Sequence, residues 1–183
     1  MKNGKKTEEF GLWLTQYLKP KSQYPVFYDH GNQQKDQTVV AIKGFFGDKV
    51  TNRNRLADVD VMVVNNDNEV ILLIEIEESK MSPKNLIGDI FTAMMCNRFA
   101  VRIKKENKYF DVSSKTRLIV AGVVPNQGNE RDIIIDRIMP RLQKFHKPND
   151  TLQIDKIKIV TGKDVSETLE KLKNEVRSVF TMG

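Results

Sequence analysis

The sequence predicts an α/β domain, with a mixed central sheet flanked by helices in the order αβββαβαβα. Three observations predict it. Apolar residues recur at helical spacing in Lys5–Leu18 and again from about Pro83 to Phe99. Two apolar runs, Val61–Val64 and Val70–Ile74, flank the polar turn Asn65-Asn66-Asp67-Asn68 and read as an antiparallel hairpin. A further apolar run, Arg117–Val124, follows the second helix, and strand–helix–strand order implies a right-handed parallel crossover.

Taken in order, the first helix carries its stripe on Phe10, Trp13, Leu14, Tyr17 and Leu18, and Pro20 ends it. Lys21–Gln37 is polar, holds Pro25 and Gly31, and reads as an irregular connection. Thr38–Phe46 reads as strand one and Gly47–Leu56 as a basic loop. Strands two and three are the hairpin, Asp58–Val64 and Val70–Glu77. Ser82 is a good N-cap for the second helix, with Pro83 in the first turn where proline is tolerated. Its stripe is Leu86, Ile87, Ile90, Phe91, Met94 and Met95. Lys104–Lys115 is charged and reads as a loop or a short extra hairpin, and Pro125 closes the next strand. Asn129–Phe145 reads as a helix disturbed at Pro140, and Ile154–Val160 as a further strand. Asp164-Val165-Ser166-Glu167 is a capping box that opens a last helix to about Phe180.

Composition narrows the class. The chain has 183 residues, 39% hydrophobic and 30% charged, which fits one compact domain over residues 1–183 rather than a disordered chain. No apolar run approaches a membrane span, so no membrane partner is expected. Cys96 stands alone, cannot form an internal disulfide and suits a reducing compartment, so an intracellular, cytoplasmic location is expected. With His30 and His146 far apart and one cysteine, a zinc site or a Cys–His nucleophile has little support. Gly44-Phe45-Phe46-Gly47 lacks the lysine and spacing of a phosphate loop. A net charge of +6 favours polyanionic partners.

The informative feature is acid on the hairpin. Side chains alternate along a strand, so Asp58 and Asp60 share one face, and Glu75 and Glu77 share one face. Adjacent carboxylates flanked by apolar residues repel one another unless a cation or a proton neutralises them. Mg2+, a hard cation that takes oxygen ligands, is the natural neutraliser. A turn centred on Asp67-Asn68 sets Asp60 opposite Glu75, and one centred a residue earlier sets Asp58 there. The apolar run beginning at Val61 favours Asp60 and leaves Asp58 the weaker candidate.

A helix, three strands with acids on the second and third, then a helix and a parallel strand: this order resembles the PD-(D/E)xK nuclease superfamily over roughly Glu8–Val124. The residues that carry the resemblance are Asp60 (or Asp58) and the tripeptide Glu75-Ile76-Glu77. The resemblance implies a restriction-endonuclease-like core that hydrolyses DNA with one or two Mg2+ ions. It further implies that Asp60, Glu75 and the Ile76 carbonyl hold the metal, with Asp60, Glu75 and Glu77 catalytic. Glu77 departs from the pattern, which has lysine there. A glutamate can ligate a second metal or act as a general base, where lysine would orient water. Glu78 points to the opposite face and is the less apt participant. Glu9 on the first helix is a weaker candidate ligand, read more readily as a charge favouring the helix N-terminus. Lys80, Lys84 and Asp89 are within reach but read more readily as surface residues. Lys49, Arg53 and Arg55 are candidate contacts to DNA phosphates, against the reading of a solvated loop.

The core takes most of the chain, and no helix-turn-helix or zinc-finger signature is left to read sequence. The chain therefore resembles the small cleavage subunit of a heterodimeric type IIS restriction endonuclease. That implies double-stranded DNA as substrate and a larger DNA-recognition subunit as partner. Alternatives are a stand-alone structure-specific endonuclease of junction-resolvase type, and a non-catalytic nucleic-acid-binding protein with a degenerate nuclease core. An RNase H-like fold is disfavoured because its acids begin on strand one, and Thr38–Phe46 has none.

Overall fold

The computed structural model describes residues 4–30, 39–124, 133–138, 140–141, 154 and 156–181. The fold is mixed α/β, built on two sheets. The first holds β1 (Val26–Tyr28), β4 (Val61–Val64), β5 (Val70–Lys80), β8 (Arg117–Val123) and β9 (Lys156–Gly162), in that spatial order. β1, β4 and β5 are antiparallel neighbours, while β5, β8 and β9 run parallel. The second is a four-stranded antiparallel sheet in the order β3 (Arg55–Val59), β2 (Ile42–Phe45), β6 (Arg98–Ile103), β7 (Glu106–Asp111).

Among the described residues three α-helices flank these sheets: α1 (Lys5–Leu18), α2 (Pro83–Met94) and α3 (Val165–Thr181). α1 and α3 cover one face of the five-stranded sheet, where Phe10, Leu14, Leu172 and Val176 pack on Val61, Val63, Leu72 and Ile74. The other face is covered by α2 and the second sheet, where Leu86, Ile90, Phe99 and Phe110 pack with Met62, Leu73 and Leu118. The two apolar clusters thus share the five-stranded sheet, and alternation along each strand feeds both. No helix among the described residues is long and apolar enough to cross a membrane.

The expected capping signals form. The Ser82 side chain accepts from the Asn85 N–H at 3.1 Å, and the Asp164 carboxylate accepts from the Glu167 N–H at 2.9 Å. Glu167 reaches back to accept from the Lys163 N–H at 3.0 Å. α1 is capped otherwise. Gly4 stands at its N-cap with φ 88° and has no side chain to offer. The Glu78 carboxylate instead accepts from the N–H groups of Lys6 and Thr7 at 2.8 and 3.0 Å. A carboxylate at the positive end of the helix satisfies two donors that have no partner within the helix.

Four expectations need correction. Strand one of the five-stranded sheet is Val26–Tyr28, inside the stretch expected to be irregular; three residues after a proline are too few to show periodicity. The segment expected as strand one contributes β2 to the second sheet instead, its residue Thr38 lying outside the described residues. The expected second strand, Asp58–Val64, is split at Asp60: β3 ends at Val59 in one sheet and β4 begins at Val61 in the other. The second helix ends at Met94 rather than Phe99, because Phe99 reaches the core from strand β6 and leaves Met95 exposed. The whole order therefore departs from αβββαβαβα, yet the described elements of the five-stranded sheet follow it except between β8 and β9. There a π-helical segment, Ile133–Ile138, lies within the expected third helix, most of which falls outside the described residues. The departures are two insertions, β2–β3 between β1 and β4, and β6–β7 between α2 and β8, which pair with each other through β2 and β6.

The β6–β7 hairpin turns on two residues, Lys104 and Lys105, both with positive φ (49° and 75°). A two-residue turn of that hand favours Asn-Gly, and lysine carries a steric penalty there. Lys104→Asn with Lys105→Gly should therefore raise stability by about 1 kcal/mol. Chemical denaturation checks this, with unchanged or lowered stability as the contrary result.

Candidate functional site

Asp60 is the single residue between β3 and β4, so its backbone belongs to the turn from one sheet into the other. The register Val61↔Ile74, continued by one residue, sets Asp60 opposite Glu75. That register is held at the far end by Asn65, whose side-chain oxygen accepts from the N–H groups of Asp67 and Glu69 at 3.0 and 2.9 Å. At the near end, the Asp60 carboxylate accepts from the Ile76 N–H at 2.7 Å. The Asp60 backbone lies close enough to the Glu75 carboxylate to ease its charge in part. The Asp60 carbonyl accepts from Asp29 N–H at 2.8 Å, tying in the end of β1.

Electrostatics follow from this placement. Burial pushes the Asp60 carboxyl up to about 6, against the partial relief of the Ile76 N–H. Asp29 and Glu78 push it the same way, and His30 opposes them. Glu75 is raised well above its ordinary value, first by burial, then by the charges of Asp60 and Asp89. Asp89, partly buried on α2, is raised by burial and by Glu77. Ile74 and Ile76 pack toward α1 and α3, so Glu75 and Glu77, alternating with them, face the α2 side, as Asp89 does from α2. Gly122 stands opposite Glu77 on β8, where a Cβ would come within 3.3 Å of the Glu77 Cβ. The β5–β8 register slips immediately beyond Glu77, between Glu77 and Lys80. Such an irregularity re-aims side chains, and here Glu78 turns to the N-terminus of α1.

The structure therefore brings Asp60 and Glu75 into contact and places Glu77 and Asp89 beside them. It separates the other candidates. Asp58 is exposed on the outer face of β3 and pairs with Arg55. Glu9 is exposed and pairs with Lys6 at 2.7 Å, away from the hairpin acids. Lys49 and Arg53 are exposed in the loop after β2, which the Asn54 side chain ties by donating to the carbonyls of Lys49 and Phe46 at 2.9 and 3.1 Å. Lys84 is exposed on α2. Cys96 is buried, its thiol pushed up to about 12 by burial, so it is no nucleophile. Asp89 is the residue sequence reasoning undervalued. Its spacing one residue before the buried Ile90 placed it at the edge of the apolar stripe, and only the docking angle of α2 shows that this edge meets Glu77. The part of Asp29 was not legible, because β1 was not.

The donor set fits a hard divalent cation: carboxylate oxygens on adjacent strands, held out of water and repelling one another. Among the described residues no three such groups are already gathered at ligating distance, so an ion seated on Asp60 and Glu75 would draw in Glu77 or Asp89. Comparison with known proteins finds no matching family model, no matching curated protein and no matching solved structure.

The pH dependence has a definite sign. A carboxyl raised from 3.8 to about 6 contributes stability that is complete below pH 3.8 and lost as pH climbs through 6. The loss for Asp60 is on the order of 3 kcal/mol at most, since the side chain keeps some exposure. In EDTA, the melting temperature should fall across that window, and Asp60→Asn should flatten the fall. Added Mg2+ should restore stability near pH 7 in the wild type and not in the variant. An equal pH slope in both proteins, or no response to Mg2+, would count against the carboxylate pair.

Proposed function

We propose that the chain is a Mg2+-dependent endonuclease of PD-(D/E)xK type that hydrolyses DNA phosphodiesters. We infer further that it serves as the strand-cleaving subunit of a heterodimeric type IIS restriction endonuclease. The observation that carries the reading is the placement of two acids: the Asp60 carboxylate accepts from the Ile76 N–H, and Asp60 stands opposite Glu75 where the β4–β5 register is continued by one residue. It unites the aspartate and the first acid of the tripeptide that the resemblance assigns to the metal. The five-stranded sheet supports it too, since its strands and helices follow the order the resemblance implies.

In this reading Asp60, Glu75 and the Ile76 carbonyl hold the ion. Bound there, Mg2+ would neutralise charge on the phosphate and lower the pKa of an attacking water. Glu77 stands where the pattern has lysine. Its carboxylate is suited to accept the proton of that water or to hold a second ion, and Asp89 beside it keeps negative charge close. Glu78 takes no part in the chemistry; it positions α1 against the end of β5. The half-buried setting of the two acids strengthens each of these interactions.

Plasmid nicking in Mg2+, with and without the proteins encoded beside this one, tests the proposal. With a recognition subunit the chain should cut one strand at a fixed offset. Glu75→Ala should lower that cut by more than about 100-fold, exceeding the cost of losing a group that only supports a ligand. The partner's own nick should persist. Sequence-specific double-strand cleavage by the purified chain alone would point instead to a stand-alone enzyme, and cleavage undiminished in the Glu75 variant would overturn the site.

A further inference from the structure

The charge of this chain is not spread evenly. The chain carries 30 basic and 24 acidic side chains; residues 41–59 and 97–116, which build the second sheet, hold ten basic and four acidic ones. The rest of the chain is left with twenty of each, so the whole net charge of +6 resides in the two insertions.

The outer face of that sheet is not flat. Ile42, Val59, Phe99 and Val101 face inward to the core, so Lys43, Asp58, Ala100 and Arg102 face outward by alternation. Ala100 is small and sits beside Lys43 in register. A groove of about 390 Å³ opens there, lined by Lys43, Arg55 and Arg102 together with the polar groups of Thr51, Asn52 and Asn107. Arg55 is neutralised by Asp58. Lys43 and Arg102 make no ion pair among the described residues, and neither do Lys49 and Arg53 on the bordering loop. Like charges gathered on a sheet face without counter-charges lower stability. They are neutralised by an anionic partner with regularly spaced charges.

We propose that the outer groove of the four-stranded sheet docks the sugar–phosphate backbone of a nucleic acid, with Lys43 and Arg102 as its principal phosphate contacts. The groove borders the strand that leads to Asp60: Lys43 on β2 stands opposite Asp58 on β3 in register, two residues before Asp60. Arg55 lies five residues before Asp60, about 16 Å along an extended strand. β3 thus leads from the edge of the groove to the strand junction at Asp60. The contacts are to phosphate, so they position the strand and carry no sequence information. This surface would hold DNA in register while a recognition subunit supplies the sequence. The inference rests on the nuclease reading only for the use made of the bound strand; binding itself needs no metal.

The test is binding of a short fluorescent DNA duplex by the full chain in EDTA, followed by anisotropy between about 50 and 200 mM salt. Lys43→Ala with Arg102→Ala should weaken binding about tenfold and flatten the salt dependence of log affinity by a slope of about 2. Lys19→Ala with Lys156→Ala removes the same charge from exposed positions elsewhere and should change neither by as much. Unaltered melting temperatures confirm that all proteins are folded. The proposal is overturned if the wild type does not bind at the lowest salt, if the groove variant binds as the wild type does, or if the control variant loses as much. Groove-dependent binding without Mg2+-dependent nicking would sink the nuclease reading and leave this one standing. Nicking with groove-independent binding would do the reverse.

Discussion

At Asp60 a strand leaves one sheet and enters another, and the hydrogen bonds made there hold the rest of the arrangement in place. Where the regular β4–β5 pairing ends, the Asp60 carboxylate takes up the Ile76 N–H, and Asp60 stands opposite Glu75. A backbone donor out of water needs a partner, and here a carboxylate is the partner. This placement sets the acids side by side, and their shared burial raises the energy of both charges. An apolar pair at these positions would close the ladder with less electrostatic cost. Retaining two acids there is economical only if something positive completes them.

The neighbouring features are consistent with a site kept under this constraint. Glu78 is drawn off to the N-terminus of α1, so its charge is balanced by helix donors instead of adding fully to the cluster. Gly122 leaves space opposite Glu77, and Met81 fills the remainder of that space. The second sheet packs Phe99, Val101 and Phe110 against the same core as α2, so the face that carries the acids is walled by apolar side chains. The two segments that build this sheet carry all of the chain's net positive charge. Negative charge is thus collected at the strand junction and positive charge on the sheet that the junction leads into.

Much of this was legible in the sequence. Helical stripes marked α1 and α2, a capping box marked α3, and the two-residue period placed Glu75 and Glu77 on one face. The polar turn left Asp58 and Asp60 both open, and the apolar run from Val61 favoured Asp60, which the observed register sets against Glu75. What could not be read depends on long-range pairing. β1 is three residues long and gains its strand identity from β4. Asp58 and Asp60 were expected on one face, but the change of sheet between them turns Asp58 outward to Arg55. Phe99 continues the helical period of α2, and only its place in the core of the second sheet makes it a strand residue. The hairpin at Lys104-Lys105 lacks the glycine or asparagine that signals such a turn, so that segment stayed ambiguous between loop and strand.

The central claim is that Asp60 and Glu75 form one strained carboxylate pair completed by a cation. It is tested most directly by following their side-chain carboxyl carbons by NMR through a pH titration, with and without Mg2+. The account predicts that in EDTA Asp60 titrates near 6 and Glu75 well above the ordinary glutamate range. It predicts that saturating Mg2+ drives both midpoints down together. Titration of both groups in the ordinary carboxylate range, unmoved by Mg2+, would contradict it.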